Sequence, residues 1–203
     1  NASMAASAFL GSCPPRAFAT QDEFDLGDFL HRPWYVQQRM RGVSNTPSFS
    51  NLCVAMVYNM NAHRTFWGYD ITLRTQSRDD RFPHASTFHE DLCARIEDRF
   101  SGKFRVGKCG RPSWFAKQYW VAAHDEKEGF AIVSGGAPSS PAPGGGCRTS
   151  TGLWIMTREQ RRSDRVLTKA RSRARELGFA LSVLEDIYQE HCTDGAIPDD
   201  FHV

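Results

Sequence analysis

Gly152-Leu153-Trp154-Ile155-Met156-Thr157-Arg158 reads as a buried strand that ends on a cation just before a long helix. Near the other end of the chain, Phe29-Leu30-His31-Arg32-Pro33-Trp34-Tyr35-Val36 reads as a strand opening on a tryptophan. Pro33 has no N–H to give to a ladder, so it marks where that strand begins. A guanidinium over an indole face stabilises by about 0.5–2 kcal/mol. If Arg158 lies over Trp34, the first and last strands meet and the sheet is closed. That pairing decides the fold.

Between these ends, strands are expected at 34–41, 52–60, 65–74, 103–108, 115–123, 129–134 and 151–157, with a further one near 84–90. Short strands at such spacing point to a sandwich or barrel. In the third run Trp67, Tyr69, Ile71 and Leu73 alternate with Gly68, Asp70, Thr72 and Arg74, giving one apolar and one polar face. On that alternation Asp70 faces outward into solvent; a slip of one residue would turn it inward. The second run is apolar on both faces, Val54, Met56, Tyr58 and Met60 against Cys53, Ala55 and Val57. Such a strand is covered by a barrel interior on one side and a helix on the other. The helix follows Ser163-Asp164, which can cap it, and Gly178 is placed to end it. Val166, Leu167, Ala170, Ala174 and Leu177 form its apolar stripe. Arg165, Lys169, Arg171, Arg173 and Arg175 form a cationic face, read as solvated or, more sharply, as a contact for an acidic partner or membrane surface. Segment 135–150, rich in Gly, Pro and Ser, reads as a long flexible loop.

Composition narrows the class. The chain has 203 residues, 40% hydrophobic and 24% charged, within the range of one folded domain. Residues 1–23 read as an N-terminal extension, 24–192 as the barrel plus helix, and 193–203 as a C-terminal tail. The small-residue start Asn1-Ala2-Ser3-Met4-Ala5-Ala6 has the flavour of a processed or targeting segment, against a simple frayed end. A net charge of +2 implies no nucleic-acid partner. No apolar stretch approaches the roughly 18 residues of a transmembrane segment. Six cysteines, at 13, 53, 93, 109, 147 and 192, include no Cys-x-x-Cys pair. Three disulfides in an oxidising compartment suit this pattern; six buried thiols are the alternative.

Chemical motifs are sparse. His89 and Cys93 stand four apart, a metal-ligand spacing on a helix, but without a second histidine, so a structural role is expected and no metal site. His124, beside Asp125-Glu126 in an expected hairpin turn, reads as solvent-facing. There is no Gly-Lys-Ser/Thr phosphate loop and no Gly-x-Ser-x-Gly elbow.

Taken in order, Asp28–Val36, Gly102-Lys103-Phe104-Arg105-Val106, Tyr119-Trp120-Val121 with Gly129–Gly135, and Leu153–Arg158 before the helix resemble the lipocalins over about residues 24–192. The family's usual Gly two residues before the tryptophan is replaced here by Arg32. The implied fold is all-β, an eight-stranded antiparallel up-and-down barrel with a C-terminal helix packed outside. Within the family, Pro47-Ser48-Phe49-Ser50-Asn51-Leu52-Cys53, Asp70–Thr75 and Cys192 are most similar to the plastid violaxanthin de-epoxidase-type lipocalin domain. That resemblance implies a Cys53–Cys192 bond and a thylakoid-lumen setting, with secretion as the alternative. For the other cysteines, alternating loops suggest Cys109 with Cys147 at the open rim and Cys13 with Cys93 at the closed end.

The same resemblance carries a reaction, reductive removal of an epoxide oxygen from a xanthophyll with ascorbate. This chemistry needs a carboxyl acid in the cavity. Ser50, Leu52, Met56 and Asn59 stand at or near the positions that supply Asp and His in that enzyme, so activity is not expected. What remains is an apolar cup: Trp67, Tyr69, Ile71, Leu73, Met56, Tyr58 and Met60 are expected to line it, with Trp34 near the floor. A core packed solid by these side chains is the alternative. Three functions follow: a carrier for a lipid, carotenoid or chlorophyll-type pigment with no required cofactor; an accessory subunit of a photosynthetic membrane complex; or a de-epoxidase-like enzyme.

Overall fold

The computed structural model describes residues 12–16, 18–42, 52–79, 86–190 and 192. Eight antiparallel strands form one closed sheet: β1 (Trp34–Met40), β2 (Leu52–Met60), β3 (Ile71–Asp79), β4 (Ser86–Asp98), β5 (Lys103–Lys108), β6 (Lys117–Asp125), β7 (Phe130–Ser134) and β8 (Leu153–Thr157). Each pairs with the next in sequence, and β8 returns to β1 with Tyr35 opposite Thr157 and Val36 opposite Met156. Helix α1 (Leu26–Leu30) plugs the end at which β1 begins, and α2 (Asp164–Glu176) packs outside β7 and β8. The architecture expected from the sequence is therefore present: an all-β, up-and-down barrel with an external C-terminal helix.

The closed end is held by Arg158. Its guanidinium lies 3.6 Å from the Trp34 ring centroid, while Nη1 donates to the Arg32 carbonyl at 2.6 Å and Nη2 to the Asp28 carbonyl. Nε donates to the Glu126 carboxylate at 2.9 Å, and Arg32 donates to the same carboxylate at 2.6 Å. Burial pushes Glu126 up, but the bonds from Arg32 and Arg158 outweigh it and hold the carboxyl below its ordinary range. His124 is not solvent-facing. Its side chain is 7% exposed, 3.3 Å from Glu126, with its ring edge-on to Phe24, Phe29 and Trp34. The strand continues through Asp125, so the expected turn comes later and the imidazole stays under the plug. Burial lowers its pKa.

A second closure was not legible in the sequence. β1 and β2 pair only at Trp34–Met56 and Tyr35–Ala55 and then diverge. Strand β9 (Leu184–Asp186) fills the gap by pairing with Gln38–Met40, and the following residues continue the wedge. Gln189 donates its side-chain amide to both the Val36 and Val54 carbonyls, at 2.8 and 2.9 Å. Ile187 is buried in the core cluster, and Cys192 bonds Cys53, as the family resemblance implies. Cys53 sits at φ 54 where the β2 register shifts, which lets one outward residue break the ladder and accept the staple.

Other expectations need correction. The strand expected at 65–74 begins only at Ile71, because Thr65–Tyr69 form a tight turn in which Gly68 takes φ +85. The strand near 84–90 is the 13-residue β4, and this overturns two cysteine pairs. Cys93 lies mid-strand opposite Gly107 and not in a closed-end loop, so it bonds Cys109 and not Cys13. Cys13 bonds Cys147 instead, which removes the Cys109–Cys147 pair. Segment 135–150 is anchored by that bond, by a short ladder of Ser140–Pro141 with Cys147–Arg148, and by Cys147 N donating to Gly178 O at 2.8 Å. His89 and Cys93 both lie in strand β4, where residues four apart are about 13 Å apart, too far to share a metal ion. Asp70 lies outside the barrel interior but is not free in solvent: it accepts from Arg64 Nε at 2.8 Å and from Ile96 N at 2.9 Å. On α2, Arg165 and Lys169 both reach Glu128, at 2.7 and 2.6 Å, and Arg171 reaches Gln38 at 2.7 Å. Much of the cationic face thus clamps the helix to the barrel. The small-residue start, Pro47–Asn51 and the tail 193–203 lie outside the described residues.

Two outcomes follow from the plug. Arg158→Met leaves Glu126 and two carbonyls short of a buried donor, so urea unfolding should show a loss of about 3 kcal/mol. His124 has a folded pKa below its ordinary 6.5, so its contribution is complete above that value and drains away as pH falls below it. Glu126, depressed from 4.5, contributes above that value and loses its share at lower pH. His124→Gln should erase the first limb of the stability–pH curve and keep the second.

Candidate functional site

The interior divides into a solid half and a hollow half. Below, Phe29 packs on Trp34 and Tyr58 with ring centroids 5.5 and 5.1 Å apart, and Phe24, Phe104 and Ile71 complete the fill. Trp34 is fully buried and donates Nε1–H to the Phe29 carbonyl at 2.9 Å. Above this layer the side chains stop meeting. A cavity of about 710 Å³ opens there, within the usual range for small-molecule sites.

Met56, Tyr119 and Trp154 form its floor. The phenols of Tyr58 and Tyr119 hydrogen-bond to each other directly beneath. Burial pushes both pKa values up, so both rings stay neutral and one O–H serves the other oxygen. Leu73, Thr75 and Ser77 of β3 face Leu92, Glu90 and Phe88 of β4 in register, and Val106 and Lys108 of β5 continue the wall. Thr75 and Ser77 are buried, while Phe88 and Lys108 are exposed at the mouth. The cavity is thus apolar at its base and polar at its opening.

Of the residues expected to line the cup, Met56, Tyr69 and Leu73 do so. Tyr69 reaches the wall from outside: it lies in a satellite cluster with Cys93 and Ala116, and its hydroxyl would stand 3.0 Å from a Cβ on Gly107. Trp34, Tyr58 and Ile71 belong to the solid layer below. Met60 ends β2 at the closed rim and is 50% exposed, because the strand has by then passed the floor. Trp67 lies in the turn before β3, exposed against Phe66. No carboxylate is expected in the cup from the sequence, yet Glu90 lines it. Its signal was the alternation Phe88, Glu90, Leu92, Ala94, Ile96, which one charged residue obscured. Among the described residues, no group of three or more His, Cys, Asp or Glu is placed to hold a metal ion. No helix among them is long and apolar enough to cross a membrane.

The geometry has counterparts among solved structures. Insecticyanin from the tobacco hornworm Manduca sexta superposes with a TM-score of 0.57 at 13% identity, covering 87% of this chain and 86% of that one. Lobster apocrustacyanin A1 gives 0.52 at 8%, covering 87% and 93%. The amine binding protein of Rhodnius prolixus, in its tryptamine complex, gives 0.54 at 16%, covering 87% and 86%. The barrel is of the lipocalin type. At such identities the likeness is one of fold alone. No protein-family model matches the sequence, and no curated protein matches it. Two inward wall positions above the floor, Thr75 and Ser77, carry small side chains, which leaves room in the upper barrel.

Removing the phenol that supports the floor is a local test. Tyr58→Phe leaves the Tyr119 hydroxyl with only the Met56 sulfur, 3.7 Å away, and should cost about 1–2 kcal/mol by urea unfolding.

Proposed function

We propose that the protein is a carrier or sequestering protein for a small hydrophobic ligand held in the cup. One observation carries this reading: the barrel is hollow above Met56, Tyr119 and Trp154, with a floor that offers almost no polar partner. Burying ten methylenes against such a floor stabilises by about 8 kcal/mol, enough to offset much of the cost of immobilising a guest. The amine binding protein of Rhodnius prolixus, which shares the fold, forms a complex with tryptamine, and this supports a small-molecule guest here. A lipid, carotenoid or chlorophyll-type pigment fits the apolar base, and no further cofactor is needed. Three disulfides suit an oxidising compartment. The resemblance to the violaxanthin de-epoxidase-type domain favours the thylakoid lumen, with secretion as the alternative.

One further observation favours the second reading, an accessory subunit of a photosynthetic membrane complex. Phe66, Trp67, Trp114 and Phe115 are exposed side by side, joined by Ser113 N donating to the Trp67 carbonyl at 2.9 Å. An apolar patch of that kind marks a contact surface. Its test is retention with a membrane complex through washing, without any ligand response.

The carrier reading is tested with retinol or a xanthophyll. Trp154 lies in the floor, so its fluorescence should be quenched on titration, and Met56→Arg should abolish the response while leaving the circular dichroism of the barrel intact. Retained binding in that variant would put the ligand elsewhere. An ascorbate-dependent spectral change with an epoxy-xanthophyll would instead support an enzyme using Glu90 as its acid.

A further inference from the structure

Resting on the carrier reading, we infer that the guest is a long-chain amphiphile with an oxyanion head: its tail lies on the apolar floor, and its head is held at the mouth by Lys108, Arg111 and Lys117.

Strand register places two of these cations. Leu92 stands opposite Lys108 and Val106 opposite Lys117, and both apolar residues line the cavity. Cross-strand partners share a face of the sheet, so Lys108, the last residue of β5, and Lys117, the first of β6, present to the interior side. Arg111 comes from the connection between those two strands and lines the same opening. Among the described residues none of the three has an ion-pair partner.

Several cations on the barrel wall and helix are matched by carboxylates. Arg74 reaches Asp91 at 2.7 Å, Arg105 reaches Glu97 at 2.6 Å, and Lys169 reaches Glu128 at 2.6 Å. At the mouth, by contrast, three cations that line one opening have no such partner among the described residues. Its wall holds one carboxylate, Glu90, opposite Thr75 and one inward position nearer the opening than Leu92. Glu90 is diagonal to Lys108 and can offset that one charge, which leaves Arg111 and Lys117.

A second cleft of about 550 Å³ deepens the imbalance. It shares Lys117 and Thr151 with the cup and adds Arg41 and Arg148, with Ser140 and Ser150 and no carboxylate among its described residues. Among the described residues that line the cup and this cleft, five Lys and Arg side chains stand against one carboxylate. An anion placed there keeps part of its hydration and gains several attractive charges, whereas a cationic head is repelled. The apolar floor cannot bind an ion at all without a partner, so the charged end must sit outward.

The experiment compares four ligands with one tail and different heads: oleate, oleyl phosphate, oleyl alcohol and oleylamine. Each is titrated by Trp154 fluorescence and calorimetry into the full disulfide-bonded chain at neutral pH. Oleate or oleyl phosphate, or both, should bind about tenfold tighter than the alcohol at low salt, from two or three exposed charge contacts. The better of the two distinguishes a carboxylate source from a phosphate source, and either supports the inference. That preference should shrink in high salt and fall toward one in the Lys108→Gln/Lys117→Gln double variant. Alcohol or amine binding as tightly as the acids overturns the oxyanion head while leaving the carrier reading standing. Failure of all four to bind overturns the carrier reading and the inference together.

Discussion

Closure of the barrel at its plugged end depends on a single buried cation. Arg158 is the first residue beyond β8, yet it touches the indole that opens β1, two carbonyls of the segment leading into it, and Glu126 beyond β6. Those contacts tie the ends of the sheet and the plug helix to one arginine whose side chain is 3% exposed. Such a group is costly to bury alone and stable only when fully partnered. Its stacking on Trp34 adds attraction that strengthens where water is excluded. The ring of Phe29, wedged under Trp34 and Tyr58, then makes that end solid.

A solid base is what permits a hollow top. The aromatic layer supplies the apolar burial that keeps the barrel closed, so the upper wall does not have to fill its own interior. Small side chains at Thr75 and Ser77 leave room there, and the walls are held from outside. The wedge of β9 and Gln189 seals the gap between β1 and β2, and Cys53–Cys192 pins it. On the opposite side Tyr69 and the Cys93–Cys109 bond back the thin wall at Gly107. Outward-facing staples of this sort stiffen a cavity without occupying it.

Polarity follows from the same arrangement. Strands that run into the plug must be apolar at that end, while their far ends meet water and can carry Glu90, Lys108 and Lys117. The cup therefore inherits an apolar floor and a charged mouth, and its ligand must be read from both.

Much was legible in the residues themselves. Pro33-Trp34 and Arg158 identified the seam, Ser163 and Gly178 bracketed α2, and local alternation located most strands to within two residues. These depend on near neighbours, through capping, proline geometry and the two-residue repeat of a strand. The extent of β4, the partners of Cys13, Cys93, Cys109 and Cys147, the wedge after α2 and the identity of the cavity wall depended on the tertiary structure alone. Each is set by which strands lie side by side. A disulfide needs two backbones within a few ångströms, and a cavity exists only where side chains from several strands fail to meet. Neither condition is a property of any one stretch of sequence.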